Sequence, residues 1–183
     1  MAKKKAASRK QSTPFAEEGK ALNVVIETPR GSRNKFKYDE KLKAFKLKSL
    51  LPAGASFPYD FGFVPGTKGE DGDPLDVLVL MDEPAFAGCH ISCRLIGVIE
   101  AKQTEDGDTY RNDRLVAVAN DAHNYRELRS INDVSKNLLD ELVHFFKSYN
   151  EMNGKEFELV GFHAAQAAHS LVDKATKGRL ADR

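Results

Sequence analysis

The stretch Glu70-Asp71-Gly72-Asp73-Pro74-Leu75-Asp76 places three aspartates within six positions, and the apolar run Val77-Leu78-Val79-Leu80 follows it directly. Asp71 and Asp73 are two residues apart, so an extended backbone turns both side chains to the same face. Pro74 fixes its own φ and holds Asp73 out of the helical region. Asp76 then opens the strand. The sequence therefore predicts three carboxylates in one small space at the entrance of a strand.

Carboxylates this close together need solvent, protons or a cation between them. At ~4 Å and an effective dielectric of about 20, each ionised pair repels by roughly 4 kcal/mol. Oxygen ligands on a stiffened loop suit Mg²⁺, with Mn²⁺ as the alternative. An EF-hand loop would require an acidic or amide group at Leu75, a glycine at Asp76 and a glutamate at Asp82, and the chain has none of these. The alternative to a metal site is an acidic turn whose carboxylates are solvated and bind no cation.

The composition is that of a globular protein with one core. The 183 residues are 41% hydrophobic and 30% charged, and the formal net charge is only +1. This balance argues against an overall electrostatic design for nucleic acid or a membrane. No apolar stretch approaches the roughly 20 residues of a membrane span, and Lys3-Lys4-Lys5 has no hydrophobic segment after it. We expect a cytoplasmic protein.

Hydrophobic patterning predicts many short strands followed by two helices. The predicted strands are Leu22 to Thr28, Phe36 to Tyr38, Ala44 to Leu51, Asp76 to Met81, Ile91 to Ala101, Arg114 to Ala119 and Glu156 to Val160, with a charged hairpin at residues 104–108. Residues 52–75 are read as loops. The first helix carries apolar residues from Val134 to Tyr149, with Asp133 as its cap and Asn153-Gly154 as its stop. The second runs from about Ala164 to Ala175 and ends near Gly178.

This order, without βαβ alternation, predicts an α+β fold that is mainly β, with a small antiparallel barrel or sheet. Residues 1–14 form a predicted disordered basic tail, residues 15–178 a single domain and residues 179–183 a C-terminal tail. Cys89 and Cys93 alternate with His90 in the pattern of a half-buried strand. We therefore expect two reduced core thiols rather than a zinc site.

Basic side chains supply the other half of the predicted chemistry. Lysines and arginines cluster at Arg30, Arg33, Lys35, Lys37, Lys46, Lys48, Arg111 and Arg114. Each run alone is typical of a solvated face. Together with acidic metal ligands they indicate a site for a magnesium complex of a polyanionic phosphate. The chain has no P-loop Gly-x-x-x-x-Gly-Lys and no kinase-type glycine loop.

The sequence resembles the soluble family I inorganic pyrophosphatases. The centre of the likeness is Asp71-Gly72-Asp73-Pro74-Leu75-Asp76-Val77-Leu78-Val79, which is similar to that family's signature, and ordered matches run from about Val24 to Val160. The resemblance implies a closed five-stranded, OB-like β-barrel with flanking helices. It also implies magnesium-dependent hydrolysis of inorganic pyrophosphate to two phosphates by a homo-oligomer, usually a hexamer in bacterial members.

Site residues follow from the resemblance position by position. Asp71, Asp73 and Asp76 would hold the two metals that activate the water, with Asp73 as proton acceptor, and Glu27 would lie in the outer shell. Lys35 and Arg114 would grip phosphate oxygens. Tyr149 would donate a hydrogen bond to phosphate, and Lys48 would assist.

The chain also departs from the family pattern. Lys37 stands where the family has glutamate, Ser49 where it has a phosphate-binding arginine, Asn112 where it has a bridging aspartate, Asn150 where it has lysine, and Phe57 and Phe61 where it has tyrosines. Glu105, Asp106, Asp108 and Asp113 remain open as a further ligand. We hypothesise that two metals bind normally and that the third and fourth bind more weakly, with Lys37 and Lys48 supplying part of the missing charge.

Two other functions stay open. One is a weakened pyrophosphatase-like protein that binds a phosphorylated ligand. The other is a nucleic-acid-binding barrel that uses Arg30, Arg33, Lys35 and Lys37, although only Phe36 and Tyr38 are placed for base stacking.

Overall fold

The computed structural model describes residues 13–15 and 21–181. The elements in this part of the chain are β1 (Leu22–Thr28), β2 (Asn34–Asp39), β3 (Ala44–Leu50), β4 (Asp60–Phe63), β5 (Asp76–Leu80), β6 (His90–Glu105), β7 (Asp108–Arg111), β8 (Arg114–Ala119), a 3₁₀ helix (Ile131–Asp133), α1 (Lys136–Glu151), β9 (Glu156–Ala164) and α2 (Ala165–Ala181).

Five strands form a ring in the order β1, β4, β5, β8 and β6, and β6 returns to pair with β1. Strands β7 and β9 extend the sheet from β6, while β2 and β3 make a separate two-stranded sheet. The mainly-β, five-stranded barrel with two C-terminal helices predicted from the sequence is confirmed. One detail differs from the antiparallel expectation: β5 and β8 are parallel, with Asp76 opposite Arg114.

The core lies inside this ring and under the helices. Every residue of Val77–Leu80 has an exposed fraction of 0%, and β8 is buried along its whole length. Burial of successive residues means that both faces of these strands are covered, which explains their continuous apolar runs. Each fully buried valine or leucine of these strands contributes about 1.5–3 kcal/mol of hydrophobic stabilisation.

Strand β4 was missed because the sequence there looks like a loop. Its four residues lie between Pro58 and Pro65 and contain Gly62. The structure shows why a glycine is needed: a Cβ on Gly62 would lie 2.1 Å from the carbonyl oxygen of Val25 on the neighbouring strand. A glycine inside a strand is typical of such a close backbone approach.

The start of α1 and the end of α2 also differ from the prediction. Ser135 caps α1 by accepting a hydrogen bond from the Leu138 amide, whereas Asp133 belongs to the capping box of the preceding 3₁₀ helix with Ser130. A serine and an aspartate two residues apart are both good caps, so sequence alone did not separate them. Helix α2 continues to Ala181, past the predicted stop near Gly178.

Strands β6 and β9 are longer than predicted. They pair with each other from Gly97–Ala164 to Thr104–Glu156, and this pairing carries β6 to Glu105. The predicted charged hairpin joins β6 to β7 through Asp106 and Gly107, both at positive φ.

Several further expectations concern the edges of the fold. Residues 1–12 of the predicted tail and residues 182–183 lie outside the described residues. Thr13 and Pro14 accept hydrogen bonds from Asn23 on β1. Cys93 is wholly buried on β6, Cys89 is half-buried, and both are free thiols. Within residues 13–15 and 21–181, no helix has the length and apolar character to cross a membrane.

Candidate active site

One cavity of about 540 Å³ lies at one end of the ring, under the β2–β3 sheet and beside α1. It is bordered by all eight residues that the sequence singled out: Glu27, Lys35, Lys48, Asp71, Asp73, Asp76, Arg114 and Tyr149. They come from β1, β2, β3, the acidic loop before β5, the first residue of β5, β8 and α1. The cavity thus gathers side chains that are far apart in the chain.

Hydrogen bonds from Thr67 and within the loop itself hold the acidic loop (residues 69–75) in place. The buried hydroxyl of Thr67 donates to the carbonyl of Val64 at 2.6 Å and accepts the amide of Leu75 at 3.0 Å. The amide of Gly69 donates to the carbonyl of Asp73 at 2.7 Å, and Gly72 turns the loop at a φ of 84°. These bonds present the aspartates at the cavity while leaving their carboxylates partly exposed.

The neighbouring carboxylates raise the proton affinity of Asp71. Loss of water in the loop raises the pKa of Asp71, and the neighbouring charges of Asp76 and Asp73 raise it further. A bound cation would relieve this repulsion, and the donors are all hard oxygens, as Mg²⁺ prefers. Among the described residues, however, no three His, Cys, Asp or Glu side chains are close enough together to make a preformed metal site. Asp73 is instead paired with the ammonium group of Lys37.

Two cations are buried in the cavity wall. Lys35 is 7% exposed and lies 3.8 Å from the Glu27 carboxylate, and burial lowers its pKa to about 8. Burial has the opposite effect on the acid of this pair and raises the pKa of Glu27. The Glu27 carboxylate also accepts a hydrogen bond from the amide of Tyr38 at 2.7 Å.

Arg114 is 3% exposed, donates Nη1 to the carbonyl of Asn112, and stacks 5.0 Å from the Phe146 ring centroid. Burial lowers its pKa, although Asp76 and Asp71 favour its charge. Its Nε has no hydrogen-bond partner among the described residues. Buried donors are rarely left unsatisfied, so this guanidinium suits an anionic ligand.

Aromatic side chains fix the remaining wall. Tyr149 packs edge-on against Phe57 with ring centroids 5.7 Å apart, and burial raises its pKa, as does Asp76. Phe61 lies under the ammonium of Lys35. The two phenylalanines therefore keep the packing of the site without adding hydroxyl donors.

The structure also decides which of the open acidic residues reach the cavity. Glu105 borders it, whereas Asp106, Asp108 and Asp113 do not. Asp113 is engaged by Arg111 at 2.7 Å.

The sequence reasoning missed three residues on this wall. Gln103 donates to the Tyr110 hydroxyl at 2.7 Å, Tyr110 donates to Glu105 at 3.1 Å, and Lys155 contacts Glu105 at 2.6 Å. Asn112 joins the chain by donating to Gln103 at 3.1 Å. No motif marks these residues, because the β6–β7 hairpin and the turn after α1 meet only in the folded chain.

Comparison with known proteins agrees with this geometry. The family model for inorganic pyrophosphatase matches residues 24–179. An inorganic pyrophosphatase of Nostoc sp. is 40% identical over 156 residues, which are 85% of this chain and 90% of that protein. One from Halalkalibacterium halodurans is 36% identical over 160 residues, 87% of this chain and 96% of that protein.

Solved structures are similar as well. The crystal structure of inorganic pyrophosphatase from Thermus thermophilus superposes with a TM-score of 0.84 at 31% identity, covering 93% of this chain and 97% of that chain. The Helicobacter pylori enzyme gives a TM-score of 0.82 at 30% identity, over 94% of this chain and 99% of that chain. Fold, cavity and sequence likeness lead to one conclusion: the chain belongs to the inorganic pyrophosphatase family.

Proposed function

We propose that this chain hydrolyses inorganic pyrophosphate to two phosphates in the cavity described above, with Mg²⁺ as its metal. Family membership supports the reaction and its dependence on a metal. The observation that carries the assignment is the gathering of acidic and basic side chains on one cavity wall. A phosphate–metal complex needs both kinds of group at once.

The oxygen donors of Asp71, Asp73 and Asp76 would hold Mg²⁺, with Glu27 in the outer shell. When bound, Mg²⁺ supplies a water of lowered pKa and offsets phosphate charge. From the family resemblance we assign to Asp73 the role of accepting the proton from the attacking water, and its partly exposed carboxylate at the cavity is consistent with that role.

The basic residues have complementary roles. Lys35 and Arg114 would bind phosphate oxygens from a buried position, where each charge is worth more than it is in water. Lys48 is exposed at the cavity rim and would guide and hold the outer phosphate. Tyr149 would donate its hydroxyl to a phosphate oxygen, since its raised pKa keeps it protonated at neutral pH.

The test is phosphate release from pyrophosphate by the purified chain, with Mg²⁺ and with excess EDTA. We expect Asp73→Asn to lower kcat by about 10² to 10⁴, the range for loss of a positioned base. Asp140→Asn makes the same chemical change at an exposed site on α1, away from the cavity, and should leave kcat unchanged. Release that is independent of Mg²⁺, or equal in both variants, would rule out the proposal.

Two departures from the family pattern bear on the number of metals. Lys37 forms an ion pair with Asp73, and Asn112 brings a neutral amide to the cavity where the family has a carboxylate. We infer that the chain binds two metals well and further ions weakly, which a magnesium titration of steady-state hydrolysis tests. If Mg²⁺ binds but no phosphate is released, the ligand-binding alternative takes the place of catalysis.

We further propose a cytoplasmic homo-oligomer, with a hexamer as the expected assembly. The free thiols of Cys89 and Cys93 are consistent with a reducing compartment. Sedimentation equilibrium of the full chain tests the subunit number, and a monomer would contradict the proposed assembly.

A further inference from the structure

The cavity holds a lysine within its group of carboxylates. Lys37 on β2 pairs its Nζ with Oδ2 of Asp73 on the acidic loop, 36 positions along the chain. The two side chains are 36% and 51% exposed, so the pair lies at the cavity surface rather than in the core. This contact joins two parts of the fold that share no strand pairing.

The strand places Lys37 there for a structural reason. The Tyr38 amide donates to Glu27 on β1 at 2.7 Å, which fastens β2 beside the cavity. Across the hairpin Lys46 stands opposite Lys37 in the register, yet Lys46 pairs with Asp39 at 3.5 Å and does not border the cavity. Of these two lysines on adjacent strands, Lys37 therefore contacts a cavity carboxylate, whereas Lys46 contacts a carboxylate outside the cavity.

An ammonium group and a divalent metal ion cannot share one carboxylate oxygen without strong repulsion. Both are hard cations that seek anionic oxygen, but the ammonium is tethered and present at a high local concentration. We propose that Lys37 is a built-in competitor that occupies Asp73 until a divalent ion displaces it, and so sets the metal affinity of this site. The inference rests on the proposed role of Asp73 as a metal ligand.

Direct metal binding tests this without any substrate. Mn²⁺ binding to the full chain, followed by electron paramagnetic resonance of the free ion and by titration calorimetry, gives affinity and stoichiometry. Lys37→Met keeps the aliphatic stem and removes the charge. We expect at least about tenfold tighter binding of one ion, or one additional ion per chain. Lys46→Met removes the same charge outside the cavity and should change affinity by less than about twofold.

A double-mutant cycle separates competition at Asp73 from a general charge effect. In the Asp73→Asn background, Lys37→Met should no longer tighten binding. A gain that persists without the Asp73 carboxylate overturns the proposal, as does the absence of any gain in the single variant. Thermal unfolding by circular dichroism checks that all variants fold.

Failure of this inference is distinguishable from failure of the proposed function. If Lys37→Met binds Mn²⁺ tenfold more tightly but the wild-type chain releases no phosphate, the enzymatic assignment is wrong and the competition at Asp73 stands. If the wild-type chain releases phosphate in a magnesium-dependent way but Lys37→Met shows no gain in Mn²⁺ affinity, the enzymatic assignment stands and the competition is wrong.

Discussion

The ammonium group of Lys35 lies 3.9 Å from the centroid of the Phe61 ring, on the wall of the cavity. The negative face of the ring partly replaces the water that this cation has lost. The replacement is incomplete, because burial still lowers the pKa of Lys35 to about 8 from 10.5.

This lowered pKa makes stability depend on pH in a defined direction. Between pH 8 and 10.5 the unfolded chain keeps the Lys35 proton that the folded chain has released, so the contribution of Lys35 to the free energy of unfolding rises with pH. Lys35 contributes on the order of 3 kcal/mol across that window. The free energy of urea unfolding of the wild type minus that of Lys35→Met, both measured in EDTA, should rise across this window. The subtraction removes the effect of Cys93, whose raised pKa of about 12 acts in the opposite direction. Parallel pH curves for the two proteins would contradict the assignment.

Arg114→Met should separate activity from stability. The guanidinium is buried with an unpartnered Nε, and its loss of water outweighs what its charge gains from Asp76, which is why its pKa is lowered. We expect the free energy of unfolding to change by no more than about 1 kcal/mol, while kcat/KM for pyrophosphate falls by about 10² to 10³. Arg126→Met, at a side chain that is 71% exposed, is the activity control. A large loss of stability would mean that Arg114 is mainly structural.

Thr67→Val should loosen the acidic loop. The variant keeps the shape of the side chain but leaves the Leu75 amide without its acceptor at 3.0 Å, at a cost of about 1–3 kcal/mol. Because Leu75 adjoins Asp76, we also expect kcat/KM to fall about tenfold. Thr109→Val breaks an exposed hydroxyl contact with Thr104 at 2.8 Å and should affect neither quantity. Urea unfolding and steady-state kinetics on the same preparations provide the comparison.

Gly62→Ala should prevent stable folding. The added methyl would meet the Val25 carbonyl oxygen at 2.1 Å, and backbone cannot yield cheaply in a paired strand. We expect a loss of more than about 4 kcal/mol, seen as insoluble or unfolded protein. Gly178→Ala in α2 meets nothing within 4 Å and should stabilise the chain by about 0.5–1 kcal/mol. A soluble Gly62→Ala protein with unchanged melting temperature would show that β1 and β4 can separate.

The sequence predicted the parts of the fold and site that local patterns encode. The aspartates are marked by their spacing and by Pro74, and β8 by its apolar run. Strand β4 could not be recognised, because its glycine and flanking prolines carry a loop signal that only the approach of Val25 explains. The pairing of Lys37 with Asp73 was equally hidden, since it depends on how β2 packs over the acidic loop.

Other site residues could not be predicted from the sequence, because their contacts also depend on tertiary packing. Gln103, Tyr110 and Lys155 belong to no motif and meet through tertiary contacts alone. Asp71, Asp73 and Asp76 were marked by their spacing, whereas the roles of the other five predicted residues came from resemblance to a family. All eight catalytic roles stay predictions until the variants are measured.

The register of β5 and β8 sets Asp76 directly opposite Arg114. Those two groups therefore form a rigid half of the cavity, whose spacing is fixed by barrel hydrogen bonds. Asp71 and Asp73 form an adjustable half, because they ride on a loop. Changes of geometry during turnover can then be absorbed by the loop, while the strand pairing keeps the carboxylate of Asp76 and the guanidinium of Arg114 on neighbouring strands.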